Sequence, residues 1–167
     1  MKSLFLTGFM GSGKTTIGKQ LAEKLSLPVI DTDEFIENQL SKTIREIFET
    51  EGEKKFREYE KHFLKLVPTE NTIVTTGGGI ILAEENRAWM REKGYVIYLH
   101  CEPDEIIRRL KDDQTRPLLD GDKENNIRTI FSQRLPLYNE ADLKIDTMNK
   151  NPDEIVEEIE QLIKTLE

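Results

Sequence analysis

Cysteine is almost absent from this sequence, since Cys101 is the only one among its 167 residues. A single cysteine excludes an intramolecular disulfide and a zinc site built from several cysteines. We expect Cys101 to be a small core residue beside the end of a strand. Extended apolar stretches are missing as well, because no run approaches the roughly 20 residues of a membrane-spanning helix. No membrane association is expected.

Positively charged residues are also fewer than negatively charged ones. The chain has 24 Lys and Arg residues against 32 Asp and Glu residues, so its formal net charge is −8 at pH 7. Nucleic-acid binding needs a basic face that releases counterions, so this balance argues against a nucleic-acid partner. An anionic small molecule would instead need local clusters of arginine.

The sequence has no internal repeat, and we expect no secretory signal peptide. Met1 and Lys2 lead directly into the first apolar run, which favours a cytoplasmic protein. Hydrophobic residues at 37% and charged residues at 34% lie in the range of globular proteins. A chain of this length fits one domain with a real core, so we expect residues 1–167 to form a single domain.

Short apolar runs alternate along the chain with patterns of helical period. This alternation is typical of parallel βαβ units and predicts an α/β fold. Strands are predicted at Ser3–Thr7, Val29–Asp31, Thr72–Thr75, Tyr95–Leu99 and Leu143–Asp146. Helices are predicted at Lys14–Leu25, Asp33–Leu40, Ile44–Glu49, Glu53–Val67, Ala83–Lys93, Pro103–Lys111, Lys123–Tyr138 and Asp153–Leu166. Turn residues with weak periodicity at 112–122 predict a mobile lid.

Residues 8–15 have the sequence Gly-Phe-Met-Gly-Ser-Gly-Lys-Thr and follow the first predicted strand. This is a complete G-x-x-x-x-G-K-[ST] phosphate loop, in which backbone N–H groups point at the phosphates of a nucleotide. Lys14 supplies positive charge, the Thr15 hydroxyl is placed to coordinate Mg²⁺, and the helix beginning near Thr16 directs its positive end at the phosphates. The alternative is a chance Gly-rich turn, but the complete pattern predicts a nucleotide-binding protein.

Two carboxylates, Asp31 and Asp33, follow the second predicted strand. Open α/β sheets bind ligands beyond the carboxyl ends of their strands, and a metal–nucleotide site needs a carboxylate. We therefore expect at least one of them to serve the site. The alternative is that Asp31 and Glu34 only form a capping box for the next helix.

Three consecutive glycines, Gly77, Gly78 and Gly79, follow the third predicted strand. Motor and switch NTPases usually carry an Asp at this place. Glycines at a strand end allow close approach of the backbone to a ligand, so we expect these three to contact one. A flexible turn before the next helix is the alternative.

Three arginines are informative only as part of the combined pattern. Arg57 lies in a predicted helix, where Glu53 and Glu60 are at the spacing of surface ion pairs. Arg116 and Arg134 each lie close to a proline, and either one considered alone would more often be a solvated arginine.

Taken together, these motifs resemble the shikimate kinase family. In chain order they are the phosphate loop, Asp31-Thr-Asp33, the segment 52–60 around Phe56-Arg57, Gly77-Gly-Gly79, Arg116-Pro-Leu-Leu119 and Arg134-x-Pro136-x-Tyr138-x-Glu140. The resemblance implies transfer of the γ-phosphoryl group of ATP to the 3-hydroxyl of shikimate, on the route to chorismate and the aromatic amino acids. It also implies the three-layer α/β/α fold of P-loop kinases, similar to nucleoside monophosphate kinases, with a five-stranded parallel sheet in the order 2-3-1-4-5.

The resemblance further implies a monomer, the cofactors ATP and Mg²⁺, and roles for individual residues. The implied shikimate contacts are Asp33, Arg57, Gly77, Gly78, Gly79 and Arg134. The implied nucleotide contacts are Gly11, Ser12, Gly13, Lys14, Thr15, Thr16, Arg109, Arg116 and Pro152. The implied catalytic residues are Lys14, Asp33 and Arg116, and the implied Mg²⁺ ligands are Thr15 and, through water, Asp31. Whether Asp33 is a true base or a positioning group stays open.

Three alternatives remain at this stage. A gluconate kinase would share the phosphate loop and also bind a hydroxy acid, but Phe56-Arg57 and Arg116-Pro117 argue against it. A GTPase-like switch needs Asn-Lys-x-Asp, and the segment 149–153 is one residue too long for that pattern. A ligand-sensing domain without activity would have lost Lys14, Asp33 or a substrate arginine, and all of these are present.

Overall fold

The computed structural model describes residues 1–111 and 121–167. Five strands form one parallel sheet in the order β2-β3-β1-β4-β5, as the family resemblance implied. The strands are β1 Ser3–Thr7, β2 Val29–Asp31, β3 Ile73–Thr75, β4 Gly94–His100 and β5 Leu143–Asp146. The α-helices are α1 Lys14–Leu25, α2 Thr32–Leu40, α3 Ile44–Glu51, α4 Glu53–Leu64, α5 Glu84–Lys93, α6 Pro103–Leu110, α7 Lys123–Tyr138 and α8 Pro152–Ile163.

The predicted elements are present, with shifted ends. Helix α4 was expected to reach Val67 but ends at Leu64, because Pro68 follows closely and disfavours helical backbone in the residue before it. Helix α8 begins one residue early, at Pro152, since Asn151 caps it and proline suits the first helical position. A short 3₁₀ helix at Ile80–Leu82 was not predicted.

Strand β1 lies at the centre of the sheet, and all five of its residues are buried. Its side chains alternate between the two faces. Leu4 and Leu6 pack with residues of α1 and α8 on one face, whereas Phe5 packs on the other face with residues of α5, α6 and α7. Helices therefore cover both faces of the sheet, which confirms the predicted three-layer arrangement.

Helices α2, α3 and α4 share a smaller apolar core of their own. Its buried members are Ile36, Ile47, Phe56 and Phe63. Burying a side chain of this size contributes roughly 1.5–3 kcal/mol. This core matters for function because it holds α2 and α4, the helices that carry two of the predicted acceptor-binding residues.

The carboxyl ends of all five strands meet at one edge of the sheet, because the strands are parallel. The phosphate loop, Asp31 and the glycine segment leave from this edge. Cys101 follows β4 and is buried, which confirms the expectation for this residue. Within residues 1–111 and 121–167, no helix has the length and apolar character needed to cross a membrane.

Candidate functional site at the carboxyl edge of the sheet

The phosphate loop connects β1 to α1 with backbone angles that favour glycine. Gly8, Gly11 and Gly13 have φ values of 153°, 80° and 95°, and L side chains rarely adopt such values. A Cβ atom on Gly8 would lie 2.8 Å from both the Leu99 carbonyl oxygen and Ser12 Oγ. The glycines are therefore required for the loop to close, and the closed loop directs its N–H groups inward.

Lys14 is the first residue of α1, and its ammonium group lies over the loop. Its Nζ donates to the carbonyl oxygens of Gly8, at 2.6 Å, and of Phe9, at 2.9 Å. No side chain among residues 1–111 and 121–167 caps the N-terminus of α1. The N–H groups of this turn and the ammonium group together form an anion site.

Asp31 caps helix α2, as the alternative interpretation proposed. Its Oδ1 accepts from the backbone N–H groups of Asp33 and Glu34, each at 3.0 Å, and its Oδ2 accepts from Thr75 Oγ1 at 2.7 Å. A carboxylate offers about four lone-pair positions, so three accepted bonds leave capacity for a water molecule. The capping bonds therefore orient the carboxylate and leave it able to accept a further hydrogen bond.

Each of the three consecutive glycines lies against a different predicted substrate-binding side chain. A Cβ on Gly77 would lie 2.6 Å from Asp33 Oδ1, and a Cβ on Gly79 would lie 2.5 Å from two guanidinium nitrogens of Arg57. A Cβ on Gly78 would lie 3.4 Å from NH1 of Arg134. The absence of side chains on 77–79 is what lets the carboxylate and both guanidinium groups approach one backbone segment.

Arg57 forms two ion pairs on α4, one of which is buried. NH1 lies 3.0 Å from Glu60 Oε1, and NH2 lies 3.5 Å from Glu53 Oε1. Glu60 is only 2% exposed, so the surface-pair interpretation was wrong for this partner. Burial raises the pKa of Glu60 to about 7, and the nearby charge of Asp33 adds to the shift while Arg57 opposes it.

Arg134 is a buried arginine, not a solvated one. It is 3% exposed, and its guanidinium carbon lies 5.8 Å from the centre of the Phe9 ring. Among the described residues, neither NH1 of Arg134 nor Nε of Arg57 has a hydrogen-bond partner. Buried cationic donors of this kind are costly unless an anion satisfies them, so the two guanidiniums form a candidate carboxylate site.

The main cleft has a volume of about 930 Å³. Ten predicted site residues line it: Gly11, Gly13, Lys14, Thr15, Thr16, Asp31, Asp33, Gly77, Gly78 and Arg109. Five others in the described part of the chain do not: Ser12, Arg57, Gly79, Arg134 and Pro152. Arg57 instead lines a smaller cavity of about 420 Å³ together with Glu60. The lid was predicted at 112–122. Residues 112–120, which include Arg116, lie outside the described residues.

The two residues implied to surround the adenine differ in placement. Arg109 NH1 donates to the Gly11 carbonyl oxygen at 2.9 Å, and its Nε donates to Glu105 at 2.9 Å, so this arginine lies over the phosphate loop. Pro152 is the exposed first residue of α8, next to Asn151, whose side chain caps that helix. The structure thus brings Arg109, but not Pro152, to the cleft.

Two residues of the site were missed as functional residues. Glu60 lies between Phe56 and Phe63 on the apolar face of α4. A carboxylate on an apolar helix face indicates a buried side chain, so the sequence did contain a signal that Glu60 is buried. Tyr138 carried no assigned role, although its hydroxyl donates to the Gly78 carbonyl oxygen. Nothing in the residue spacing indicates that contact, because it depends on how α7 packs against the glycine segment.

A family model described as shikimate kinase matches residues 10–164. The chain belongs to the shikimate kinase family. A shikimate kinase of Bacillus mycoides is 50% identical over 163 residues, covering 98% of this chain and 99% of that protein. A structure of shikimate kinase from Acinetobacter baumannii in complex with shikimate has a TM-score of 0.95 and 36% identity, covering 100% of this chain and 95% of that one.

Membership in the family confirms the predicted enzyme class, shikimate kinase, and the use of ATP. A gluconokinase from Sinorhizobium meliloti is also similar, with a TM-score of 0.60 and 17% identity, covering 98% of this chain and 94% of that one. At this identity the likeness shows a shared fold alone. It adds no support to the gluconate alternative.

Proposed function

We propose that this chain transfers the γ-phosphoryl group of ATP to the 3-hydroxyl of shikimate, releasing ADP and shikimate 3-phosphate. The observation that carries the proposal is the convergence of Asp33, Arg57 and Arg134 on the glycines 77–79, beside the phosphate loop. Two guanidiniums and one carboxylate on a single backbone segment match a small acid with neighbouring hydroxyl groups. Shikimate has this chemistry, and it is present in the similar Acinetobacter baumannii structure.

The acceptor is held by opposite charges at its two ends. In the proposal, Arg57 and Arg134 donate charge-assisted hydrogen bonds to its carboxylate, because both have buried N–H groups that lack partners among the described residues. Asp33 accepts from its hydroxyls at the side nearer the phosphate loop. This polarity orients the acceptor, with its hydroxyls toward the nucleotide and its carboxylate away from it.

The nucleotide phosphates bind to the phosphate loop, where Lys14 and the first turn of α1 supply positive charge. Mg²⁺ fits the oxygen donors at this place, because Thr15 and Asp31 both line the cleft. The Asp31 carboxylate accepts three hydrogen bonds and has lone pairs left for a bound water. When bound, Mg²⁺ neutralises charge on the β- and γ-phosphate oxygens. We propose Thr15 as its direct protein ligand and Asp31 as a water-mediated one.

In the reaction, the acceptor hydroxyl oxygen forms a bond to the γ-phosphorus as the bond to the β–γ bridging oxygen breaks. Lys14 stabilises the negative charge on the transferring group. Asp33 accepts a hydrogen bond from the attacking hydroxyl and orients it. A loose transition state requires little deprotonation before bond formation, so we assign Asp33 orientation first and proton acceptance second.

Several assignments stay predictions within this proposal. Arg116 would close on the phosphates, and Arg109 and Pro152 would contact the adenine. A monomer remains the expectation from the family resemblance. A cytoplasmic location remains the expectation from the sequence.

The proposal is tested by ADP release from Mg·ATP in one coupled assay with shikimate, gluconate, a nucleoside monophosphate or no acceptor. Turnover with shikimate alone is the expected result, and phosphorus NMR of the product would identify the phosphorylated hydroxyl. Turnover with gluconate would support kinase activity but would contradict the roles proposed for Arg57 and Arg134. Absence of turnover with every acceptor would favour the ligand-sensing alternative.

A further inference from the structure

The hydroxyl of Tyr138 lies inside the acceptor half of the site. Tyr138 is the last residue of α7, it is buried, and its hydroxyl donates to the Gly78 carbonyl oxygen. Arg134 lies one turn earlier on α7, and its positive charge is close enough to oppose the rise in the pKa of this hydroxyl. A tyrosine hydroxyl has one proton and can also accept, so while it donates to Gly78 its lone pairs are available to a donor of the arginine.

Gly78 is the point where the two halves of the site meet. A Cβ at this position would lie 3.3 Å from the backbone nitrogen of Met10 and 3.6 Å from the carbonyl oxygen of Gly8, both in the phosphate loop. It would also lie 3.4 Å from NH1 of Arg134. Because the Tyr138 hydroxyl bonds Gly78 and the Arg134 guanidinium lies against the same glycine, the two side chains meet at the backbone beside the phosphate loop.

Helix α7 lacks one backbone hydrogen bond in this turn. Pro136 lies inside the helix, between the arginine and the tyrosine, and proline has no N–H to donate to the preceding turn. The ring of Tyr138 is instead stacked on that of Tyr98, with centroids 4.9 Å apart and planes 8° from parallel. The hydroxyl of Tyr98 points to a different partner, Nδ1 of His100, at 2.9 Å.

The hydroxyl is neutral under working conditions. Burial raises the pKa of Tyr138 to about 12, against the opposing effects of Arg134 and Arg57. It therefore keeps the proton that it donates to Gly78. Without the hydroxyl, Arg134 loses a polar neighbour that restricts the direction of its guanidinium group.

We infer, on the basis of the proposed function, that the Tyr138 hydroxyl is a positioning group for acceptor binding, which holds the Arg134 guanidinium against Gly78 to meet the acceptor carboxylate. Its contribution is to orientation, so it acts through Arg134 and not on the transferring phosphoryl group. The expected signature is a higher KM for the acceptor, with a smaller change in the KM for ATP.

The test compares Tyr138→Phe with Tyr98→Phe, because each variant removes one buried hydroxyl and keeps the stacked rings. Tyr138→Phe is expected to raise the KM for shikimate about tenfold, the size of a lost hydrogen bond to a charged group, and to leave the KM for ATP within about twofold. Tyr98→Phe is expected to leave both KM values near wild type. Thermal unfolding of both variants separates loss of stability from loss of positioning.

A second comparison uses Arg134→Lys. If the tyrosine acts through the arginine, adding Tyr138→Phe to Arg134→Lys will raise the KM for shikimate no further. Additive effects, an unchanged KM in Tyr138→Phe, or an equal rise in Tyr98→Phe would each overturn the inference. Absence of shikimate turnover in the wild-type chain would instead overturn the proposed function, so the two failures are distinguishable.

Discussion

The nucleotide half and the acceptor half of this site are built in different ways. The nucleotide half is one contiguous segment, residues 8–15, in which backbone N–H groups and one lysine provide the charge. The acceptor half takes Asp33 from α2, Arg57 from α4 and Arg134 from α7, and brings them to the glycines after β3. A site made of backbone is visible in the residue order, whereas a site made of converging side chains is not.

The two halves also differ in how much charge they bury. Lys14 and Thr15 border an open cleft. Arg134 and Glu60 are 3% and 2% exposed, and burying such groups is costly unless they are paired. The small core of α2, α3 and α4 supports this arrangement, so the acceptor half depends on tertiary packing in a way that the phosphate loop does not.

The largest effect on turnover is expected from the nucleotide half, in Lys14→Met. Loss of the ammonium group removes the charge that stabilises the transferring group, so kcat should fall by about 10²–10³-fold. Steady-state ADP release measures this change. The control is Lys19→Met, an exposed position on the same helix. A Lys14→Met enzyme within about tenfold of wild type would contradict the assigned role.

A substitution in the acceptor half should change a different kinetic constant. Arg57→Lys keeps the charge beside Glu60 but loses the forked geometry that matches a carboxylate. We expect the KM for shikimate to rise about tenfold, with little change in the KM for ATP. Arg91→Lys, on α5 and paired with Glu140 at 2.8 Å, is the matched control. Equal losses for both ligands would show that the two halves cannot be separated.

The glycines allow a finer comparison within the acceptor half. The methyl group of Gly77→Ala would displace the Asp33 carboxylate, and that of Gly79→Ala would displace the Arg57 guanidinium. We therefore expect the first variant mainly to lower kcat and the second mainly to raise the KM for shikimate, each by several-fold (on the order of 1 kcal/mol). Identical kinetic profiles would contradict the assignment of each glycine to its own side chain.

The smallest effect on turnover is expected for Glu60→Gln, which should instead change the dependence of stability on pH. The pKa of Glu60 is raised from 4.5 to about 7 in the folded state. The stability that this carboxyl contributes is therefore fully present below pH 4.5 and is lost as the pH rises through about 7. Urea unfolding across this range should show a weaker decline for Glu60→Gln than for wild type. Glu53→Gln, at the exposed partner of Arg57, should leave the decline unchanged.

Much of the fold could be predicted because it depends on local pattern. The apolar runs of β1 and β4 and the phosphate loop between β1 and α1 carry their own signals. The ends of elements were less predictable, as at Leu64, where the apolar pattern continues to Val67 but Pro68 ends the helix. The sheet order followed from the family resemblance and not from the periodicity.

The acceptor side chains show where local pattern is insufficient. Arg134 taken alone resembled a solvated arginine, and Glu60 resembled half of a surface ion pair. Both are buried, because the helix faces of α4 and α7 that carry them pack against other elements and not against solvent. Sequence spacing reports which residues share a helix face, but not what that face meets.

The residue order alone therefore determines the phosphate loop, since its Gly, Lys and Thr are neighbours in the chain and act largely through local backbone geometry. The meeting of Gly77 with Asp33, of Gly78 with Tyr138 and of Gly79 with Arg57 is decided by the packed structure. The hydroxyl of Tyr138 and the carbonyl group of Gly78 are 60 residues apart in sequence. Only the parallel sheet and the helices that cover it bring such distant groups within hydrogen-bond distance, because these contacts depend on how helices pack and not on the spacing within any one of them.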